Sequence, residues 1–234
     1  MIPSFADKVV DFNRNLHCNI TLPDGFDSLN PFLSNPETMK VMHAFYQKYY
    51  ADNRPRHFII GINPSRHGAG VTGVPFTDTK RLKSVCDIEM LTAHTHEISS
   101  LFLYDAIEAF GGADLFYKNF YINSPFPLAI VKHVGQGKMV NANYYDDPKL
   151  FEALKPFMIS SMEKHISLGL KTDKVIILGK KNADYLRKLN KEAKLFEEAI
   201  VLEHPRYIQQ YKSKDRMGYI DKYIQTFMEV AGLG

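Results

Sequence analysis

The sequence predicts a three-layer α/β/α fold with a central, mostly parallel four-stranded sheet, and three observations carry that expectation. Four short apolar runs, HFIIGI (57–62), NFYINS (119–124), KVIILG (174–179) and AIVLEH (199–204), have the β-branched and aromatic content of strands buried on both faces. Helically spaced stretches with their own start and stop residues separate the runs. Strands alternating with helices of this length favour parallel pairing with helices on both faces.

In chain order, Ser4 caps a helix running to about Leu16, and Asn35-Pro36-Glu37 starts a second, PETMKVMHAFYQKYYAD. Residues 1–52 are expected to form N-terminal helices packed on a single domain that spans 1–234. SSLFLYDAIEAFGG has Ser99 or Ser100 as cap and Gly111 as stop. DPKLFEALKPFMISSMEKHISLG starts at Asp147-Pro148 and ends near Gly169, with a kink expected at Pro156. KKNADYLRKLNKEA and DRMGYIDKYIQTFMEVAG complete the helices.

Composition narrows the function classes. The 234 residues carry 29 Lys and Arg against 26 Asp and Glu, and the net charge of +3 permits a polyanionic partner without requiring one. There is neither a signal-peptide pattern nor an apolar run long enough to span a bilayer, so a soluble, cytoplasmic protein is expected. Cys18 and Cys86 are too few for a disulfide framework or a four-cysteine metal site, and both read as buried free thiols. No metal or cofactor is expected.

Open α/β sheets bind ligands beyond the carboxyl ends of their strands, and the unusual residues lie there. Asn63 follows the first strand, Asn123 closes the second, Gly179-Lys180 follows the third and His204-Pro205 ends the fourth. The glycines of GINPSRHGAGVTGVPFTD (61–78) match neither a Walker loop nor a dinucleotide fingerprint. Taken alone they describe a surface loop. Their company is harder to dismiss: an aromatic such as Phe76 stacks on a base, an asparagine amide reads a Watson–Crick edge, and a histidine donates to a carbonyl that gains charge. Singly, each has a plainer role as turn former, core residue or cap.

GINPSRHGAGVTGVPF resembles the first motif of the SMUG-like (single-strand-selective monofunctional) branch of the uracil-DNA glycosylase superfamily, sharing Gly61, Asn63, Pro64, Gly68, Thr72, Gly73, Val74, Pro75 and Phe76. INSPFPL with Asn123 is similar to the family's middle motif, and LEHPRYIQQY with His204 and Pro205 to its last. Ser65 in place of glycine, one extra residue in NSPFPL, and Arg-Tyr after His-Pro depart from the usual pattern and suggest a bacterial side branch.

The resemblance implies a monofunctional DNA base-excision glycosylase that acts on uracil, with xanthine as a further base, and leaves an abasic site. It implies that Asn63 positions water, His204 donates to the base carbonyl, Phe76 stacks, Asn123 reads the edge and the Ile62 backbone amide adds a donor. DNA is the implied partner of a monomer, nucleoid-associated when it acts, with Arg206, Tyr207, Lys212, Lys180 and Lys181 as DNA contacts. A non-catalytic binder of damaged or single-stranded DNA and a hydrolase of free nucleosides or nucleotides are the alternatives.

Overall fold

The computed structural model describes residues 2–234. In order, the elements are α1 (Phe5–Arg14), β1 (Phe26–Leu29), α2 (Pro31–Ser34), α3 (Pro36–Tyr50), β2 (Arg56–Ile60), α4 (Ala69–Thr72), α5 (Thr79–Ser84), α6 (Ile98–Phe110), α7 (Gly112–Asn119), β3 (Phe120–Asn123), β4 (Ala129–His133), β5 (Met139–Ala142), α8 (Pro148–Ser167), β6 (Leu170–Leu178), α9 (Lys180–Ala193), β7 (Glu198–Leu202), α10 (Pro205–Tyr211) and α11 (Arg216–Ala231). The four expected strands form one sheet in the order β3-β2-β6-β7, parallel throughout, with Ile60 opposite Asn123 and Ile177. Helices flank this sheet as the three-layer expectation requires. The β2 and β3 backbones are buried along their whole length, whereas the edge strand β7 is only partly covered.

A second sheet was not expected. β1, β4 and β5 pair antiparallel in the order β1-β4-β5, and the β4–β5 hairpin turns through Gly135, Gln136 and Gly137, all at positive φ. This small sheet flanks the mouth of the main one and carries Ala142, Asn143 and Tyr144 to the strand ends.

Local chemistry explains most helix starts. Ser4 and Asp7 form a capping box on α1, Asn35 accepts from the Glu37 amide, and Asp147 accepts from the amides of Lys149 and Leu150. α6 differs from expectation: its cap position is Glu97, whose side chain makes no cap bond, while Ser100 Oγ donates to the Glu97 carbonyl and to Asp78. Gly111 stops α6 as expected, at a φ of 123°, but α7 follows at once. α8 continues through Pro156, which lies on its exposed side, where water can reach the carbonyl left unpaired. Cys86 is buried, but Cys18 is only half-buried.

Arg56 accounts for the N-terminal helices. Fully buried at the start of β2, it donates from Nε to the Tyr117 carbonyl at 2.8 Å and pairs with Asp52 at 2.9 Å. Its guanidinium lies 4.6 Å from the Tyr50 ring centre and 5.0 Å from that of Phe5, joining α1, α3 and α7 to the sheet. Removing the buried Arg56 side chain leaves the Tyr117 carbonyl without its donor and opens a cavity. Arg56→Ala is therefore expected to lower the unfolding free energy by about 3 kcal/mol or more, measured by urea denaturation, with Arg56→Lys recovering only part because a lysine lacks the planar fork.

Candidate active site

The carboxyl ends of the parallel strands meet around a cavity of about 160 Å³. An engineered cavity of about 150 Å³ holds benzene, so this one is of the size of an aromatic ring. Asn63, Phe76, Asn123, His204 and Ile62 all line it, as does Arg206. Residues from three separate stretches, 62–76, 123 and 204–206, thus converge, whereas Gly179 and Lys180 line an adjoining groove.

Each is held by specific contacts. The Asn63 Nδ2 donates to the Ala142 carbonyl at 3.1 Å and its Oδ1 accepts from the Tyr144 amide at 3.1 Å, so the end of β5 fixes the amide plane. Tyr144 in turn donates to Asn182 Oδ1 at 2.6 Å, and the buried Asn182 Nδ2 donates to the carbonyls of Gly61 and Leu178. The Asn123 Nδ2 donates to the Tyr121 hydroxyl at 2.8 Å and its Oδ1 accepts from the Ser124 amide at 2.9 Å. The Tyr121 hydroxyl also reaches His165 Nδ1 at 3.3 Å, a ring that burial pushes down to about 3. The Ser124 amide can only donate, so the atom it meets is Oδ1 and the atom at the Tyr121 hydroxyl is Nδ2. One amide orientation of Asn123 follows.

Phe76 is the residue at which the loop closes. Its φ of 55° is left-handed, a conformation that costs a non-glycine residue about 1–3 kcal/mol. Thr72 holds the turn by donating from Oγ1 to the Thr77 carbonyl at 2.7 Å, and Thr77 Oγ1 lies 2.9 Å from the Tyr104 hydroxyl in the core. Gly73 has a φ of 71° and is packed so tightly that a Cβ would lie 2.6 Å from Phe32. Gly61 serves a different purpose: a Cβ there would lie 2.9 Å from the Phe76 ring, so its role is to seat the aromatic rather than to bend the chain. Ser65 and Arg66 dock on β5, Asn141 donating to Ser65 Oγ and accepting from the Arg66 amide.

His204 is the N-cap of α10, and its Nδ1 accepts from the Arg206 amide at 3.2 Å. The proton of the neutral ring must therefore sit on Nε2. Burial, with the Arg206 guanidinium adding repulsion, pushes His204 down to about 4, so the ring is neutral near pH 7. Phe76 and His204 lie with ring centres 5.7 Å apart.

The proposed DNA contacts divide. Lys180, Lys181 and Tyr207 line an adjoining groove that shares Ile62 and His204 with the cavity. Lys181 Nζ sits 4.6 Å from the Tyr145 ring centre. Lys212 ends α10 and lines neither. The segment after His-Pro is a helix with exposed Tyr207 and Tyr211.

Sequence reasoning missed Glu97, Asn141, Tyr144 and Asn182. Asn182 left a signal: it shares the buried stripe of α9 with Ala183, Leu186 and Leu189, and a buried asparagine on an apolar face calls for partners. No helix among the described residues is long and apolar enough to cross a membrane.

The chain matches the Uracil DNA glycosylase superfamily over residues 47–228. No curated protein matches it. Among solved structures it is similar to the crystal structure of wild-type SMUG2 from Pedobacter heparinus, at 46% sequence identity and a TM-score of 0.95, covering 99% of this chain and 100% of that one. The family match takes in every residue around the cavity, and with the fold already described it places the chain: it belongs to the uracil DNA glycosylase superfamily.

Proposed function

We propose that this uracil-DNA glycosylase draws an extruded base into the 160 Å³ cavity and hydrolyses its N-glycosidic bond with Asn63 and His204, working as a single chain. The observation that carries the reading is the convergence of Asn63, Phe76, Asn123 and His204 on one cavity. Phe76 stacks on the base. With its amide held in one orientation, Asn123 accepts from N3–H and donates to O4 of uracil, and cytosine presents the opposite pattern.

Bond cleavage leaves positive character on the sugar and negative charge on the departing base. The Nε2–H of His204 donates to O2 as that charge develops, and this hydrogen bond strengthens toward the transition state. Asn63 is too weak a base to deprotonate water fully; it orients a water molecule at the sugar, which suffices once the leaving group has largely departed. Abasic DNA is the product, with no covalent intermediate. Arg206, Tyr207, Lys180 and Lys181 contact the DNA beside the cavity, and Lys212, at the end of α10, adds a phosphate contact. Xanthine presents the same carbonyl, N–H, carbonyl edge as uracil and is a second substrate.

Uracil-containing oligonucleotides incubated with the protein are expected to yield alkali-labile abasic sites, while free deoxyuridine is left intact. Intact oligonucleotides despite binding would favour the non-catalytic alternative. His204→Ala is expected to slow single-turnover excision on the order of 10²–10³-fold, and Asn63→Ala by a comparable factor, with unchanged thermal melting.

The neutral His204 also sets a pH dependence. Protonating Nδ1 would set two donors against each other at the Arg206 amide. The acid limb of uracil excision is therefore expected near pH 4 and not near 6.5, and the His204 ring resonances are expected to stay constant between pH 5.5 and 8 in an NMR titration. Because the unfolded chain takes up protons at its histidines near 6.5 while His204 and His165 resist down to about 4 and about 3, stability is full above the unfolded value and falls as the pH drops from there.

A further inference from the structure

Glu97 is a charged residue type placed where the uracil-reading residues leave it nothing to do. It stands at the N-cap of α6, the position whose side chain ordinarily accepts from the first turn, yet it makes no such bond. Asp78 holds this helix start from outside, accepting from the Glu97 amide at 2.7 Å and from Ser100 Oγ at 2.8 Å while paired with Arg81. The Glu97 side chain lines the base cavity instead. Gly68 makes room for it: a Cβ on Gly68 would lie 2.1 Å from Glu97 Oε2. That oxygen is closed to solvent and has no hydrogen-bond partner among the described residues.

A carboxyl with one oxygen sealed and unpaired is disfavoured as an anion. Burial, helped by repulsion from Asp78 and opposed by Ser99 and Arg206, pushes Glu97 up to about 7. The charged and titratable groups around it are Asp78 with its partners Arg81 and His96, and Arg206; His204, which also lines the cavity, is neutral. Near neutrality the cavity wall therefore presents an O–H donor.

Uracil offers no partner for that donor. Its O2, N3–H and O4 are met by His204 and Asn123, and the rest of its edge is C–H. Xanthine offers O2, N1–H and O6 in the same order, and beside O6, where uracil has C5–H, it presents the lone pair of N7. We propose that Glu97 is a specificity-determining residue of the base pocket, donating from its neutral carboxyl to N7 of an extruded oxopurine. This rests on the excision reading above and extends it to a second base class.

The step balances. As the C1′–N9 bond breaks, its electron pair passes to the purine and the Glu97 proton passes to N7, so the base leaves neutral. Water bonds to C1′ and releases a proton to solvent, from which Glu97 is reprotonated.

The test compares single-turnover excision of xanthine and of uracil from otherwise identical oligonucleotides by wild type, Glu97→Gln and Glu97→Ala, from pH 6 to 8.5, with thermal melting as the check on folding. Glu97→Ala is expected to lower xanthine excision at least ten-fold more than uracil excision. Glutamine keeps an N–H donor at every pH, so dividing the wild-type xanthine rate by that of Glu97→Gln cancels the ionisation of the base itself. That ratio is expected to fall at least ten-fold across the range. Equal losses on both bases in Glu97→Ala, a ratio constant with pH, or a wild type that excises uracil but no xanthine would each overturn the role of Glu97 while leaving uracil excision standing. Excision of neither base would overturn the underlying reading as well.

Discussion

Asn182 is the joint on which the cavity depends. From the first turn of α9 its amide ties the carbonyls of Gly61 and Leu178, the ends of the two central strands, and receives the Tyr144 hydroxyl on its other atom. Tyr144 passes that restraint to Asn63 through its backbone amide. A buried asparagine left without partners would cost about 1–3 kcal/mol; here both its amide nitrogen and its oxygen are used, and they connect the large sheet to the small one. The orientation of Asn63 is thus inherited from core geometry rather than from the loop it stands on.

The same division of labour recurs around the cavity. The Tyr121 hydroxyl and the Ser124 amide set the Asn123 amide, the Arg206 amide sets the His204 tautomer, and Thr72 with Thr77 holds the strained turn that presents Phe76. Asp78 caps α5 and accepts from the Glu97 amide at the start of α6, where the Glu97 side chain makes no cap bond. In each case polar contacts with the surrounding protein position a side chain that lines the cavity. Preorganised donors of this kind are worth most where water is excluded.

The main sheet was legible because parallel strands covered on both faces leave unbroken apolar runs, as in Phe58–Ile60 and Val175–Leu178. The rim was legible because Asn63, Asn123 and His204 interrupt that pattern at the strand ends. The small sheet was not, since β1 and β5 are short and partly exposed. Its clearest mark is the Gly135-Gln136-Gly137 turn, a hairpin signal between two short segments. Glu97 was hidden for another reason: the serines beside it look like ordinary caps, and only the fold shows that Glu97 itself stands at the cap position and lines the cavity.

A structure of the protein with DNA carrying a non-hydrolysable deoxyuridine analogue tests the central claim most directly. The account predicts the uracil ring stacked on Phe76, O2 on His204 Nε2, N3–H and O4 on Asn123, and a water molecule on Asn63 at the sugar. A base bound outside the cavity, or one that meets His204 through Nδ1, would contradict it.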